Sequence, residues 1–226
     1  MKKILQNNFT IIFFFILAVD LYASTAASPI LNIIFKPLIV ISLLVYLFIL
    51  EGNKKKAVAF AVTGLLLSLM GDVLLIFQEQ NALFFMGGLV SFLLAHVSYI
   101  FYYLRSSDAA AEKKLGSKNL IFLLMISYGL VFFLLLSKNL GDLKVPVLVY
   151  TTALVCMNIF ALNRYGKVND SSFKLIMTGA LCFLVSDSLL ALNKFLLPIP
   201  FAGLWIMASY GAAQFFITKG VLSGKE

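Results

Sequence analysis

Gly64-Leu65-Leu66-Leu67-Ser68-Leu69-Met70-Gly71-Asp72-Val73-Leu74-Leu75 is a long apolar run with one carboxylate set deep inside it. The same design returns as Gly179-Ala180-Leu181-Cys182-Phe183-Leu184-Val185-Ser186-Asp187-Ser188-Leu189-Leu190. An ionisable side chain at membrane depth costs at least about 3 kcal/mol, so such a group is usually kept for function. Two of them in matching contexts read as a pair. The expectation is that Asp72 and Asp187 meet inside a membrane protein and share one proton.

Composition supports the membrane reading. Apolar residues make up 62% of the 226-residue chain and charged residues 12%, which is too greasy for a soluble domain of this size. The apolar segments are long enough for helices and too long for the alternating strands of an outer-membrane barrel. A formal charge of +8 would suit nucleic acid, but Lys and Arg sit mostly in short loops, where a topology signal belongs. Cys156 and Cys182 lie within apolar segments and read as small buried hydrophobes rather than a disulfide.

The expected fold is an all-α polytopic bundle, a single transmembrane domain over residues 1–226. Eight spans are read at 9–24, 30–50, 57–77, 82–104, 119–137, 144–163, 173–193 and 200–219. The first, with Lys2 and Lys3 before it and the small-residue run Ala23–Ser28 after it, also resembles a signal peptide. Keeping it as a span makes the loop charges alternate. One side then holds Lys2 and Lys3; Lys54, Lys55 and Lys56; Arg105, Lys113, Lys114 and Lys118; Arg164, Lys167 and Lys174; and Lys219 and Lys225. The other side holds only Lys138, Lys144 and Lys194, and Lys36 falls within a span. The positive-inside rule puts both termini in the cytoplasm. The setting implied is a multi-pass protein of a bacterial inner membrane.

An offset of 115 residues aligns Asp72 with Asp187, Gly64 with Gly179, and Tyr99 with Gln214. Halves 1–107 and 118–226 would then form a parallel four-helix repeat. Leucine matches are cheap in membrane sequence, so true duplication and coincidence both stay open. Asp72 lies 15 residues past Ala57 and Asp187 lies 14 past Phe173. At about 1.5 Å per residue both reach about 21–23 Å into a core about 30 Å thick. Gly64, Ser68 and Asp72 form a small, polar stripe on span three that admits another helix closely.

Other polar groups inside spans have bland readings beside functional ones. Lys36, before Pro37, either snorkels to the interface or meets an anion at the outer rim. Asp20 reads as its ion-pair partner or as a headgroup-region residue. His96 is the only histidine, one turn from Tyr99 and two from Tyr103; a packing role and a site role are equally open. Tyr210 and Gln214 share a face of span eight and serve either the carboxylates or helix association. Asn193 closes span seven. Tyr102, Tyr103 and Tyr165 read as interface-belt residues. One histidine and no second ligand cluster argue against a metal, and no cofactor is expected.

These residues together resemble a known family. Gly71-Asp72-Val73-Leu74-Leu75 and Ser186-Asp187-Ser188-Leu189-Leu190-Ala191 look like its two aspartate segments, and Phe85 to Tyr99 resembles the helix between them. Lys36-Pro37-Leu38, Tyr150 with Met157, and Tyr210 with Gln214 complete the likeness, which runs over nearly the whole chain. The family is YhhN, the lysoplasmalogenase-like membrane proteins. The resemblance implies hydrolysis of the vinyl ether bond of lysophospholipids held in the bilayer, giving a fatty aldehyde and a glycerophospho-headgroup. Asp72 and Asp187 would be catalytic, with Lys36, His96, Tyr99, Tyr150, Asn193, Tyr210 and Gln214 around the substrate.

That chemistry suits a carboxyl pair. Protonating the β-carbon of a vinyl ether leaves an oxocarbenium ion at the α-carbon, and water then adds. Two carboxylates in an apolar site cannot both ionise easily, so one serves as acid while the other stabilises the cation and orients the water. Rival readings are a proton-coupled transporter carrying protons on the two aspartates, and a lipid-binding protein without chemistry. Against an intramembrane aspartyl protease, that family's G-x-G-D would need Gly where this chain has Leu69, and Ser186 stands where its tyrosine precedes the second aspartate. The orientation is open to test: a reporter active only outside the cytoplasm, fused after Glu226, is expected to stay silent, and activity there would reverse the orientation.

Overall fold

The computed structural model describes residues 2–26, 28–51, 56–107, 116 and 118–224. Of the basic residues behind the orientation, Lys54, Lys55, Lys113, Lys114 and Lys225 lie outside the described residues, as does Ala27 of the small-residue run. The described residues form eight α-helices: α1 (Lys2–Thr25), α2 (Pro29–Glu51), α3 (Lys56–Ile76), α4 (Ala82–Arg105), α5 (Lys118–Leu136), α6 (Lys144–Leu162), α7 (Asp170–Phe195) and α8 (Ala202–Ser223). Several helices outrun the hydropathy windows. Caps, not apolarity, decide where backbone hydrogen bonding stops. Thus α7 starts at Asp170 because the Asn169 side chain accepts from the Ser172 N–H at 2.7 Å.

Seven of these helices are long and apolar enough to cross a membrane; α8 is the exception. At 22 residues, α8 is about 33 Å long and could span the same distance. Its apolarity is diluted by Tyr210, Gln214 and Thr218, all buried against protein rather than lipid. It packs against α1, α2, α3 and α7, so its polar side chains are answered inside the bundle. α5 is the opposite case. Leu123, Leu124, Leu130 and Val131 are each more than half exposed, and among the described helices α5 touches only α6 and, sparingly, α7.

The two most extensive helix pairs are α3 with α4 and α7 with α8, each closed at a glycine. A Cβ on Gly64 would lie 2.7 Å from Cε1 of Tyr99. A Cβ on Gly179 would lie 2.9 Å from the Ala213 carbonyl oxygen. The small stripe expected on α3 therefore does admit its neighbour closely, with Ser68 and Asp72 buried on the same face. α2 continues through Pro37, which has no N–H for the carbonyl one turn back; the loosened turn carries Lys36.

Three expectations need correction. Tyr102 and Tyr103 are not interface residues: they are buried, with the Arg164 guanidinium 5.5 and 5.6 Å from their ring centroids. A buried cation seeks aromatic faces, which hydropathy does not reveal. Arg164 is accordingly no solvated loop charge; it is 1% exposed and its Nη2 donates to Ser172 Oγ at 3.2 Å. Asp20 is wholly buried among protein side chains, and it makes no ion pair with Lys36 within 4.0 Å among the described residues.

The closure of α7 on α8 yields a stability prediction. Gly179→Ala sets its methyl against backbone, which cannot give way, and should cost about 1–3 kcal/mol. Gly64→Ala sets its methyl against the Tyr99 side chain rather than backbone and should cost less. Thermal unfolding of both variants in detergent reads the difference, and an unshifted melting point for Gly179→Ala would contradict this packing.

Candidate active site

Two clusters of polar side chains are buried between the helices. In the first, Tyr99 of α4 donates to Oε1 of Gln214 at 2.7 Å. Gln214 Nε2 in turn donates to the Tyr210 hydroxyl at 3.2 Å, and that hydroxyl donates to Asp72 Oδ2 at 2.6 Å. Gln214 and Tyr210 are one turn apart on α8, so one helix face carries the link from α4 to α3. In the second cluster, Tyr150 of α6 donates to Asp187 Oδ2 at 2.6 Å, and Nε2 of His96 lies 3.4 Å from the same oxygen. The His96 ring stands edge-on to Tyr150 and Phe183.

Phe183 links the two clusters. Its ring packs edge-on against His96 at 5.0 Å and against Tyr210 at 5.6 Å between centroids. It lies one turn before Asp187 on α7, and it is fully buried. Phe183 is not singled out in the sequence, because an apolar ring beside a carboxylate leaves no mark among so many phenylalanines. Phe92 is a similar case, edge-on to Tyr210 at 5.7 Å.

Asp72 and Asp187 line one polar cavity together with Lys36, Asn193, Ser186 and Tyr210. The cavity encloses about 1080 Å³ of space unfilled by protein atoms, measured out to its mouth. Ser24, Asn32, Gln78 and Gly203 line it too, at the end of α1, the start of α2, the end of α3 and the start of α8. It therefore opens at the end of the bundle opposite Lys56, Arg105 and Lys174. Lys36, half-buried on α2, is the cation acting on both Asp72 and Asp20. Asn193 has a second duty at the rim, where its Oδ1 accepts the Ile199 N–H at 2.9 Å and holds the turn before α8.

A second, apolar cavity of about 640 Å³ adjoins the first. Asp187, Leu75, Phe92 and Leu190 line both. Tyr128 and Ser188, unremarked in the sequence, meet at its wall with their oxygens 2.6 Å apart. Every residue singled out for the site thus falls in one of the two clusters or on the polar cavity. No group of three or more His, Cys, Asp or Glu side chains fit to hold a metal occurs among the described residues. Cys156 and Cys182 are free and half-buried.

These features define an integral multi-pass membrane protein of helical-bundle type, with two tyrosine-held carboxyl groups around a polar cavity and an apolar one beside it. Residues 31–221 match the YhhN family, and the chain belongs to that family. Among its relatives, lysoplasmalogenase TMEM86A of Bos taurus is 30% identical over 166 residues, 72% of this chain and 65% of that protein. The lysoplasmalogenase of Mycobacterium tuberculosis is 33% identical over 166 residues, 73% of this chain and 61% of that one. Human lysoplasmalogenase TMEM86B is 31% identical over 159 residues, 70% and 62%. The chain thus spans about 61 to 65% of the length of these curated relatives. No solved structure matches it.

The tyrosine bonds are testable apart from any activity. Tyr210→Phe and Tyr150→Phe each leave a buried carboxyl oxygen short of a donor and should destabilise the fold by about 1–3 kcal/mol. Adding Asp72→Asn to Tyr210→Phe should recover part of the loss, because the stranded charge goes with its partner. Unfolding midpoints of the single and double variants test it; equal, additive losses would mean the Tyr210–Asp72 bond carries no weight.

Proposed function

We propose that the protein hydrolyses the vinyl ether bond of lysoplasmalogen-type lysophospholipids, with Asp72 and Asp187 as its acid and base. The observation that carries this reading is the single cavity lined by both carboxyl groups, each held by a tyrosine from another helix. Relatives named lysoplasmalogenase support the choice of substrate class.

In this mechanism the neutral member of the pair transfers its proton to the β-carbon of the alkenyl group. The π electrons form that C–H bond, and the ether oxygen shares the resulting positive charge with the α-carbon. The ionised member lies across the cavity from the cation and stabilises it, then takes a proton from the attacking water as the C–O bond forms. As the hemiacetal collapses, the carboxyl that took the water's proton gives it to the departing glycerol oxygen and the first carboxyl takes the proton of the hemiacetal hydroxyl, so a fatty aldehyde and a free glycerol hydroxyl form, one water is consumed and the pair returns to its starting state.

The surroundings suggest which carboxyl does which task. Asp187 borders the apolar cavity, where an alkenyl chain would lie, and is placed to protonate carbon. Asp72 borders the polar side near Lys36 and is placed to hold water. Lys36, at the mouth end, would meet the phosphate of the headgroup. The tyrosines fix each carboxyl in one rotamer, so that little reorganisation accompanies proton transfer.

The pair should behave as one unit. Asp72→Asn and Asp187→Asn are each expected to abolish most aldehyde release from 1-alkenyl lysophospholipid, and the double variant to be little worse than the weaker single one. The dependence of kcat on pH should be bell-shaped, its limbs belonging to the pair. Mass-spectrometric detection of the aldehyde decides: a folded single variant with near wild-type turnover would end the shared-proton mechanism. A wild-type protein releasing no aldehyde while moving protons across vesicles would favour the transporter.

A further inference from the structure

The contacts among the eight helices pair off only in part between the two halves of the chain; among the described residues α3–α8, α5–α7 and α1–α8 have no counterparts. α1–α2, α2–α3 and α3–α4 have counterparts in α5–α6, α6–α7 and α7–α8, and α2–α8 has one in α6–α4. α1 also closes against α8, where the Leu17 side chain packs on Gly211. The counterpart of that closure would be α5 against α4, and it is missing. Among the described residues no Cα of α5 comes within 8 Å of a Cα of α4.

The apolar cavity occupies this gap. Phe85 and Leu89 come from α4, Phe132 from α5, Leu154 from α6 and Leu184 from α7, with Asp187 at the end shared with the polar cavity. Leu89, Phe132 and Leu184 are only partly buried, so the cavity reaches the outer surface of the bundle beside them. One wall of the cavity is closed by a polar contact between α5 and α7, Tyr128 with Ser188, made next to Asp187 in sequence.

We propose that the gap between α4 and α5 is a lateral access slot that takes the single aliphatic chain of a lysophospholipid from the bilayer, chain in the slot and polar end toward Asp187. The occupant follows from the lining. A slot that is apolar along its sides, open to hydrocarbon and joined at one carboxyl to a polar cavity fits a molecule with one tail and one head. A second helix would need an exposed stripe of its own length, not a cavity closed at one end by Asp187. The inference rests on the lipid-hydrolase reading of the same site, but its test does not depend on turnover.

The probe is a 1-O-alkyl lysophosphatidylcholine with an 18-carbon chain and a terminal diazirine. Its saturated ether has no double bond to protonate and is not cleaved. Irradiated with wild-type protein in vesicles, it should label residues of the slot, with Leu89, Phe132 and Leu154 the expected sites by peptide mass spectrometry. Leu89→Trp, which fills the slot from α4, should weaken labelling about tenfold, the loss from excluding roughly two methylenes. An 8-carbon analogue should be affected less. Labels spread over outer helix faces, concentrated between α1 and α8, or absent altogether would overturn the slot. Slot labelling by a protein that releases no aldehyde would leave the slot standing and remove the hydrolase reading. Aldehyde release with labels elsewhere would do the reverse.

Discussion

A carboxyl group inside a membrane-spanning helix has no water to bond to, so the protein must bring a donor to it from another helix. In this bundle the donor is a tyrosine both times. Tyr210 of α8 reaches Asp72 of α3, and Tyr150 of α6 reaches Asp187 of α7. Each bond requires its two helices to sit at one depth and one rotation. The close packing of α3 on α4 at Gly64, and of α7 on α8 at Gly179, serves that requirement. The same constraint accounts for the polarity of α8: it carries Tyr210 and Gln214 because it supplies the first carboxyl's partners, and it can afford them because lipid never touches that face.

The asymmetry of the bundle follows from what does not need to be held. α1 is drawn in against α8 and buries Phe13, Leu17 and Asp20. α5 answers no buried charge. It packs on α6, is tied to α7 through Tyr128 and Ser188, and leaves much of its surface exposed on the outside of the bundle. A helix so lightly held suits the wall of the proposed access slot, whereas one bound through a buried carboxyl would be too costly to displace.

Much of the site was legible because membrane sequence is a quiet background. In hydrocarbon a polar side chain is expensive, so Asp72, Asp187, His96, Tyr210 and Gln214 stand out without an alignment. The failures share a cause. Tyr102, Tyr103 and Arg164 were assigned by their positions near span ends, but depth along the membrane normal says nothing about which way a side chain turns. Phe92, Phe183 and the Tyr128–Ser188 contact were invisible for the opposite reason, being apolar or commonplace residues with nothing to mark them.

The sequence by itself determined that this is a helical membrane protein, where its helices lie, and which few residues are too costly in lipid to be there idly. Those conclusions depend on transfer free energies and local periodicity, which are properties of single residues and short windows. Only the tertiary structure decided which donor meets which carboxyl, that α8 is central and α5 peripheral, and that a polar and an apolar cavity join at Asp187. These depend on the rotation of each helix about its axis and on its choice of neighbours. Both are set by packing between residues far apart in the chain, and no local pattern encodes them.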